Sequence, residues 1–187
     1  MVITIPVISG FAMLLCSKTG YSLNIYKDSI QLERDLNACR RQEKNYFMRG
    51  DIESIRLQSS SCDSVKAMVA RLQQKVDNSS MQQSLTSLQA DFDQYAIVFQ
   101  QIVSARNTHG VSGQTIPIMH MGAEIARKCH ESAAAITELA ENQYLRTKSD
   151  ASWMSIISIA IGLFISIIAA FYIVRNTVHE APPIVEA

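Results

Sequence analysis

Apolar residues between positions 81 and 102 recur in alternating steps of four and three: Met81, Leu85, Leu88, Phe92, Tyr95, Phe99 and Ile102. A spacing that averages 3.5 residues keeps one stripe of an α-helix apolar and suits nearly parallel packing against other helices. Residues 52–76 carry the same device in Cys62, Val65, Val69, Leu72 and Val76. Residues 22–49 place Leu32, Leu36, Cys39, Tyr46 and Phe47 at helical spacing, with Glu43 on the same stripe. After residues 109–113 (HGVSG), which read as a loop, a fourth seam is predicted from Met121, Ile125, Cys129, Ile136 and Leu139.

The boundaries carry their own signals. Gly50 is suited to stop the first helix and Asp51 to N-cap the second, a nearly continuous kinked helix being the alternative. Ser79 with Gln82, or Ser80 with Gln83, has the spacing of a capping box for the third helix. Thr115 can cap the fourth, with Pro117 tolerated in its first turn. No proline or glycine interrupts residues 123–161, so the fourth helix is expected to run on without a break. Short links force antiparallel neighbours. The predicted fold is therefore all-α, an antiparallel up-down four-helix bundle.

Residues 151–174 hold no charged side chain. At about 1.5 Å per residue such a run crosses a bilayer core of about 30 Å. Trp153 and Tyr172 fall near its two ends, where amphipathic aromatics anchor, and Arg175 follows as a cytoplasmic flank would. Residues 2–16 form a shorter apolar run without a basic start or a small-residue cleavage site. Leu14 and Leu15 stand where a lipoprotein cysteine at Cys16 would need a small residue. The run reads as an incomplete first transmembrane helix at residues 1–17, short of a few cytoplasmic residues, a cleaved or partial leader being the alternative. The expected organisation is two spans, 1–17 and 151–174, an extracytoplasmic sensor-sized bundle at 18–150, and a short cytoplasmic tail at 175–187. That places the chain in the cell's inner (plasma) membrane.

Composition narrows the function. Seventeen basic and seventeen acidic residues leave no net charge, so nothing argues for nucleic-acid binding. Seven glycines and four prolines supply little turn material, in keeping with a few long helices. Four cysteines without a Cys-x-x-Cys pair do not read as a disulfide framework. His120 and Glu124 share a helix face and Cys129-His130 follows, but a metal site needs three or four converging ligands. No haem attachment sequence, phosphate-cradling loop or nucleophile elbow is present. Neither a metal, a cofactor nor an enzymatic activity is expected.

Charge is unevenly placed. Segments 38–57 and 104–127 should meet at the end of the bundle far from the membrane. They hold Arg40, Arg41, Lys44, Arg49, Arg56, Arg106 and Arg127 against Glu43, Asp51, Glu53 and Glu124. Guanidinium forks pair both oxygens of a carboxylate. A pocket for a small organic anion between helices, lined by Arg40, Arg41, Arg106 and His120, is the candidate site. Solvated or locally paired arginines, such as Arg40 with Glu43, are the alternative. Glu43 itself suits a structural ion pair.

Residues 40–51 (RRQEKNYFMRGD) resemble a motif of methyl-accepting chemotaxis proteins, in the helix of helical bimodular and related four-helix sensor domains that carries Arg-Arg-x-Glu-Lys-x-Phe. Tyr95, Phe99 and Val103 are similar to a later tyrosine–phenylalanine pattern of those domains, and Met121 and Ala126 fit as well. Ile173-Val174-Arg175-Asn176 looks like the approach to a HAMP linker. The resemblance covers about residues 20–178, roughly half of a bimodular domain. It implies a receptor dimer that senses a ligand and passes a helix shift through the membrane. Residues 175–187 are too short for a complete HAMP linker or a signalling hairpin, so output through a partner, or a truncated receptor, is expected. A membrane-anchored structural or protein-interaction bundle is the competing reading.

Overall fold

The computed structural model describes residues 4–110, 113 and 115–180, with side chains throughout except at 4–12, 14, 15, 109 and 176–180. It is all-α. Four helices follow one another: α1 (Thr4–Arg49), α2 (Ile52–Lys75), α3 (Ser79–His109) and α4 (Thr115–Glu180). The described residues contain no strand. They divide into two compact units, Gly20–Leu145 and the segments up to Thr19 and from Arg146 onward.

In Gly20–Leu145 a single apolar core draws on all four helices. All seven residues of the α3 heptad run are buried. The α2 seam is buried as well, widened by Met68, and α1 adds Ile25, Leu32, Leu36, Cys39 and Tyr46. Phe47 is partly buried against the core. Contacts across α1 and α2 pair Cys39 with Cys62 and Asp28 with Lys75. Across α2 and α3 they pair Lys66 with Asp93 and Gln73 with Gln89. In both cases the later partner comes earlier in its helix, so each pair of neighbours runs antiparallel. Tyr26 of α1 stacks on Tyr144 of α4 at 6.0 Å between ring centroids.

The α4 seam differs from its sequence reading. Ile125, Cys129 and Ile136 are buried, but Met121 is 43% exposed and Leu139 only partly covered. Small residues occupy the inner face instead: Gly122, Ala126, Ala133 and Ala140. A Cβ on Gly122 would lie 3.1 Å from Ile102 Cδ1 and 3.4 Å from Val98 Cγ1. The large α3 side chains fill the space, and α4 presents small ones to them. Spacing alone favours the large apolar residue at 121; packing volume puts the glycine beside it on the inside.

Local chemistry explains the breaks. Gly50 takes φ 72°, a left-handed conformation that ends α1 cheaply only in glycine. Its N–H returns to Tyr46 O, and Asp51 then accepts from Ser54 N at 2.6 Å. The chain stops and restarts here; it does not kink. Between α2 and α3 the N-cap is Asn78, which accepts from Met81 N at 3.1 Å. Ser79 and Ser80 already lie inside α3, so neither forms the expected capping box. Gln82 is turned back to bond the Gln73 and Val76 carbonyls. The predicted loop keeps Gly110 and Gly113 outside the helices, while His109 is the last residue of α3. Its residues 111 and 112 lie outside the described residues. Thr115 opens α4 and its hydroxyl donates to Gly110 O at 2.8 Å.

In the second unit, α4 continues without interruption to Glu180. Within Thr115–Arg175 a stretch of mean hydropathy 2.6, with none of it buried, is long and apolar enough to cross a membrane. The expected first span falls on the start of α1; residues 1–3 of it lie outside the described residues, as do residues 181–187 of the expected tail.

The two readings of the core separate by mutation. Leu88→Ala should cost about 2–5 kcal/mol, the range for emptying a packed leucine site. Met121→Ala should stay within about 0.5 kcal/mol, as for a surface position. Denaturant titration of the full chain in detergent micelles, followed by far-ultraviolet circular dichroism, measures both.

Candidate functional site

The α1 seam brings a carboxylate into the core. Glu43 lies one turn after Cys39 and one before Tyr46, and it is only 1% exposed. An ion in that position costs several kcal/mol of lost hydration unless partners replace the water. Two do so. Arg40, a turn earlier on the same helix, places Nη1 2.9 Å from Oε1 and 2.7 Å from Oε2. Tyr95 of α3 donates its hydroxyl to Oε2. Arg40 keeps 30% of its side chain exposed, so the pair's positive charge reaches water. Burial, and then the neighbouring Glu43, push the Tyr95 hydroxyl well above the ordinary phenol range and hold it protonated as a donor.

A second polar contact ties α3 to the end of α1. Arg106 donates from Nη1 to Tyr46 O and lies with its guanidinium carbon 5.0 Å from the Tyr46 ring centroid. A cation serves well at a helix C-terminus, where carbonyls lack intrahelical partners. Tyr46 meets Phe99 edge-on at 6.0 Å, and its hydroxyl donates to Asn107 Oδ1 at 3.4 Å. A Cβ at Gly50 would sit 3.0 Å from Arg106 Nη2, so a larger residue there would also press on this guanidinium.

The four candidate ligand residues thus occupy different settings. Arg40 faces Glu43 and Arg106 faces the α1 C-terminus. Arg41 and His120 are exposed. Among the described residues, no hydrogen bond or ion pair joins any two of the four. Glu124, which shares a face with His120, is drawn to Arg127, and that guanidinium holds its carboxyl below the ordinary range. No three histidine, cysteine, aspartate or glutamate side chains converge as metal ligands among the described residues.

Two of the clefts among the described residues adjoin the core. One, between α1, α3 and α4, is lined by Leu36, Arg40, Tyr95 and Cys129 among others and offers about 10 Å³, room for roughly one water. The other is a groove of about 340 Å³ between α2 and α3. Lys66–Asp93 at 3.0 Å and Gln73–Gln89 at 2.9 Å bridge its walls.

The charge pattern pointed to Arg40 and Arg106 and offered Glu43 as the local partner of Arg40, but it gave no partner for Arg106. Two contacts escaped the sequence reading altogether, Tyr95 with Glu43 and Cys39 with Cys62. A usable signal existed for the second: Cys39 lies eleven residues before Gly50 and Cys62 eleven after Asp51, so a hairpin folded at that break sets them side by side. The chain matches no protein-family model, no curated protein and no solved structure.

Tyr95→Phe leaves Glu43 short of one donor. Its expected cost near neutral pH is about 1.5–3 kcal/mol, the range for a hydrogen bond to a charged group. The pH dependence follows from the raised Tyr95 value. The unfolded phenol ionises near 10.0 while the folded one stays protonated. Stability from this residue is therefore complete below pH 10 and declines as pH rises beyond it. Denaturant titrations at pH 8 and pH 11 should show the gap between wild type and Tyr95→Phe narrowing at the higher pH.

Proposed function

We propose that the chain is the sensing part of a membrane-anchored, chemoreceptor-like signal-transduction protein. In this reading residues 18–150 form an antiparallel up-down four-helix bundle outside the cytoplasm. Residues 1–17 and 151–174 cross the inner membrane, residues 175–187 enter the cytoplasm, and two copies form the receptor dimer. The observation that carries it is α4: one uninterrupted helix supplies Ile125, Cys129 and Ile136 to the core and also the apolar stretch from Trp153 to Val174. A helix has few ways to absorb an axial displacement within itself. A shift of about 1–2 Å in its packed part, the size typical of helix movements in switching proteins, would be passed along it to a partner.

The ligand suited to this end of the molecule is a small organic anion. Arg41 and His120 are exposed to receive one, and Arg40 and Arg106 lie on α1 and α3. A carboxylate that drew Arg40 away from Glu43, or Arg106 from Tyr46 O, would weaken a tie between those helices. Binding and helix packing would then be coupled through the same guanidinium groups.

A second reading has its own support. Arg40 and Arg106 already have protein partners, and the shallow cleft beside Arg40 admits no more than about one water. A membrane-anchored bundle that binds a protein partner and no small molecule needs no more than this.

Two measurements decide between them. Single cysteines introduced at Ile52 and Thr177, in a background lacking the native four, should react with a membrane-impermeant maleimide in intact cells at 52 and not at 177. The opposite pattern removes the receptor orientation. Isothermal titration of the full chain in detergent with C3–C6 mono- and dicarboxylic acids should show saturable heat that Arg41→Ala with Arg106→Ala abolishes. Flat titrations together with a co-purifying protein favour the interaction bundle.

A further inference from the structure

We propose that Cys39 and Cys62 are a redox modification site, whose thiols close into an intramolecular disulfide that staples α1 to α2. Their sulfur atoms lie 2.7 Å apart, about 0.7 Å beyond a disulfide bond. Both are buried, at 0% and 7% exposure. The pairing follows from the hairpin: each cysteine is eleven residues from the Gly50–Asp51 break, and each lies on the inward stripe of its helix. Side chains on facing seams at equal distance from a tight break have nowhere else to point.

Their surroundings fit the oxidised state. The Gln58 side chain, 4% exposed, aims Nε2 at Cys62 Sγ from 3.0 Å and at Cys39 Sγ from 3.8 Å. Cys39 Sγ in turn lies 3.7 Å from the Gln58 carbonyl. Two thiols must fit two S–H protons into this crowded contact alongside the amide hydrogens. A disulfide carries neither proton and offers both sulfurs as acceptors to the one amide. Cys129, buried on α4, lines a cleft with Cys39 but is given no sulfur contact like that of Cys62, and Cys16 is exposed in the other unit.

The chemistry is thiol–disulfide exchange with a disulfide-bearing oxidant, either a small disulfide such as glutathione disulfide or a protein disulfide donor. One cysteine thiolate attacks the oxidant, forming a mixed disulfide and releasing one oxidant thiolate. The second cysteine displaces the other half. Two S–H bonds are lost and one S–S bond forms; the two electrons reduce the oxidant to two thiols, which take up the two protons. The contact with Cys62 and burial both push the Cys39 thiol far above its ordinary range, and the burial of both sulfurs keeps an oxidant out of the closed hairpin. Closure therefore belongs to the chain before its core sets, or to moments when α1 and α2 part. The staple limits sliding of α1 along α2 and leaves α3 and α4 free of it.

The proposal draws on the receptor reading in one respect only: an extracytoplasmic bundle meets an oxidising compartment. The test separates the two. Full-length protein is trapped in membranes with acid and N-ethylmaleimide, unfolded, and mapped by mass spectrometry without reductant. A Cys39–Cys62 linked peptide, with Cys16 and Cys129 alkylated, is the expected result, and it supports both the staple and the compartment. If the pair is found as thiols, the purified chain in detergent is incubated with glutathione disulfide in mild denaturant and returned to buffer. Formation of the same linked peptide upholds the site and overturns the extracytoplasmic placement. Mixed glutathione adducts or linkage to Cys129 in its stead overturn the site. As a measurement on folding, dithiothreitol should lower the melting temperature of the oxidised protein by about 5–10 °C and leave Cys62→Ala unmoved. An equal response in both would also overturn it.

Discussion

The structure rests on one requirement: long helices joined by short links must each hide an apolar stripe from water. Helical propensity alone holds an isolated segment of this kind only marginally, and most of the stability comes from packing its apolar face. In Gly20–Leu145 the α3 heptad run supplies the largest part of that face, with Phe92, Tyr95 and Phe99 filling the middle. The other helices adapt to it. The inner face of α4 is the clearest case, where glycine and alanines stand opposite Val98 and Ile102 because the bulk has already come from α3.

Apolar seams fix which faces meet but tolerate sliding along the helix axis. The polar contacts remove that freedom. Glu43 is satisfied only when Tyr95 stands opposite it, and Arg106 reaches Tyr46 O only when the ends of α1 and α3 are level. A register error of one turn would leave a buried carboxylate with one partner, a penalty that a slipped leucine does not incur. The cost of placing a charge in the core thus turns a generic stack of helices into one with a defined alignment. Asp28, midway along α1, does the same work more weakly with Lys75 at the end of α2, where solvent screens the pair.

The second unit obeys the opposite rule. From Trp153 to Val174 the large apolar side chains face outward; Phe171 is 70% exposed. In water such a helix would be insoluble, whereas in lipid its side chains are solvated and every backbone hydrogen bond is met within the segment. One helix, α4, carries both patterns in succession.

Much of this was legible in the amino-acid order. The four helices, the α2 and α3 seams, the stop at Gly50, the cap at Asp51 and the apolar stretch of 151–174 all follow from local periodicity and local hydrogen-bonding chemistry, which act over a few residues. Where two local solutions compete, as Asn78 and the serines after it do, the sequence offers each and does not choose. Arg40 with Glu43 is a local pair three residues apart, whereas the approach of Tyr95 to Glu43, the contact of Arg106 with Tyr46 O, the inward turn of Gly122 in place of Met121, and the approach of Cys39 to Cys62 belong to tertiary structure. These last four depend on which helix lies opposite and at what height, and that is settled by the summed fit of side-chain volumes and buried charges across helices, a quantity no single stretch of chain contains.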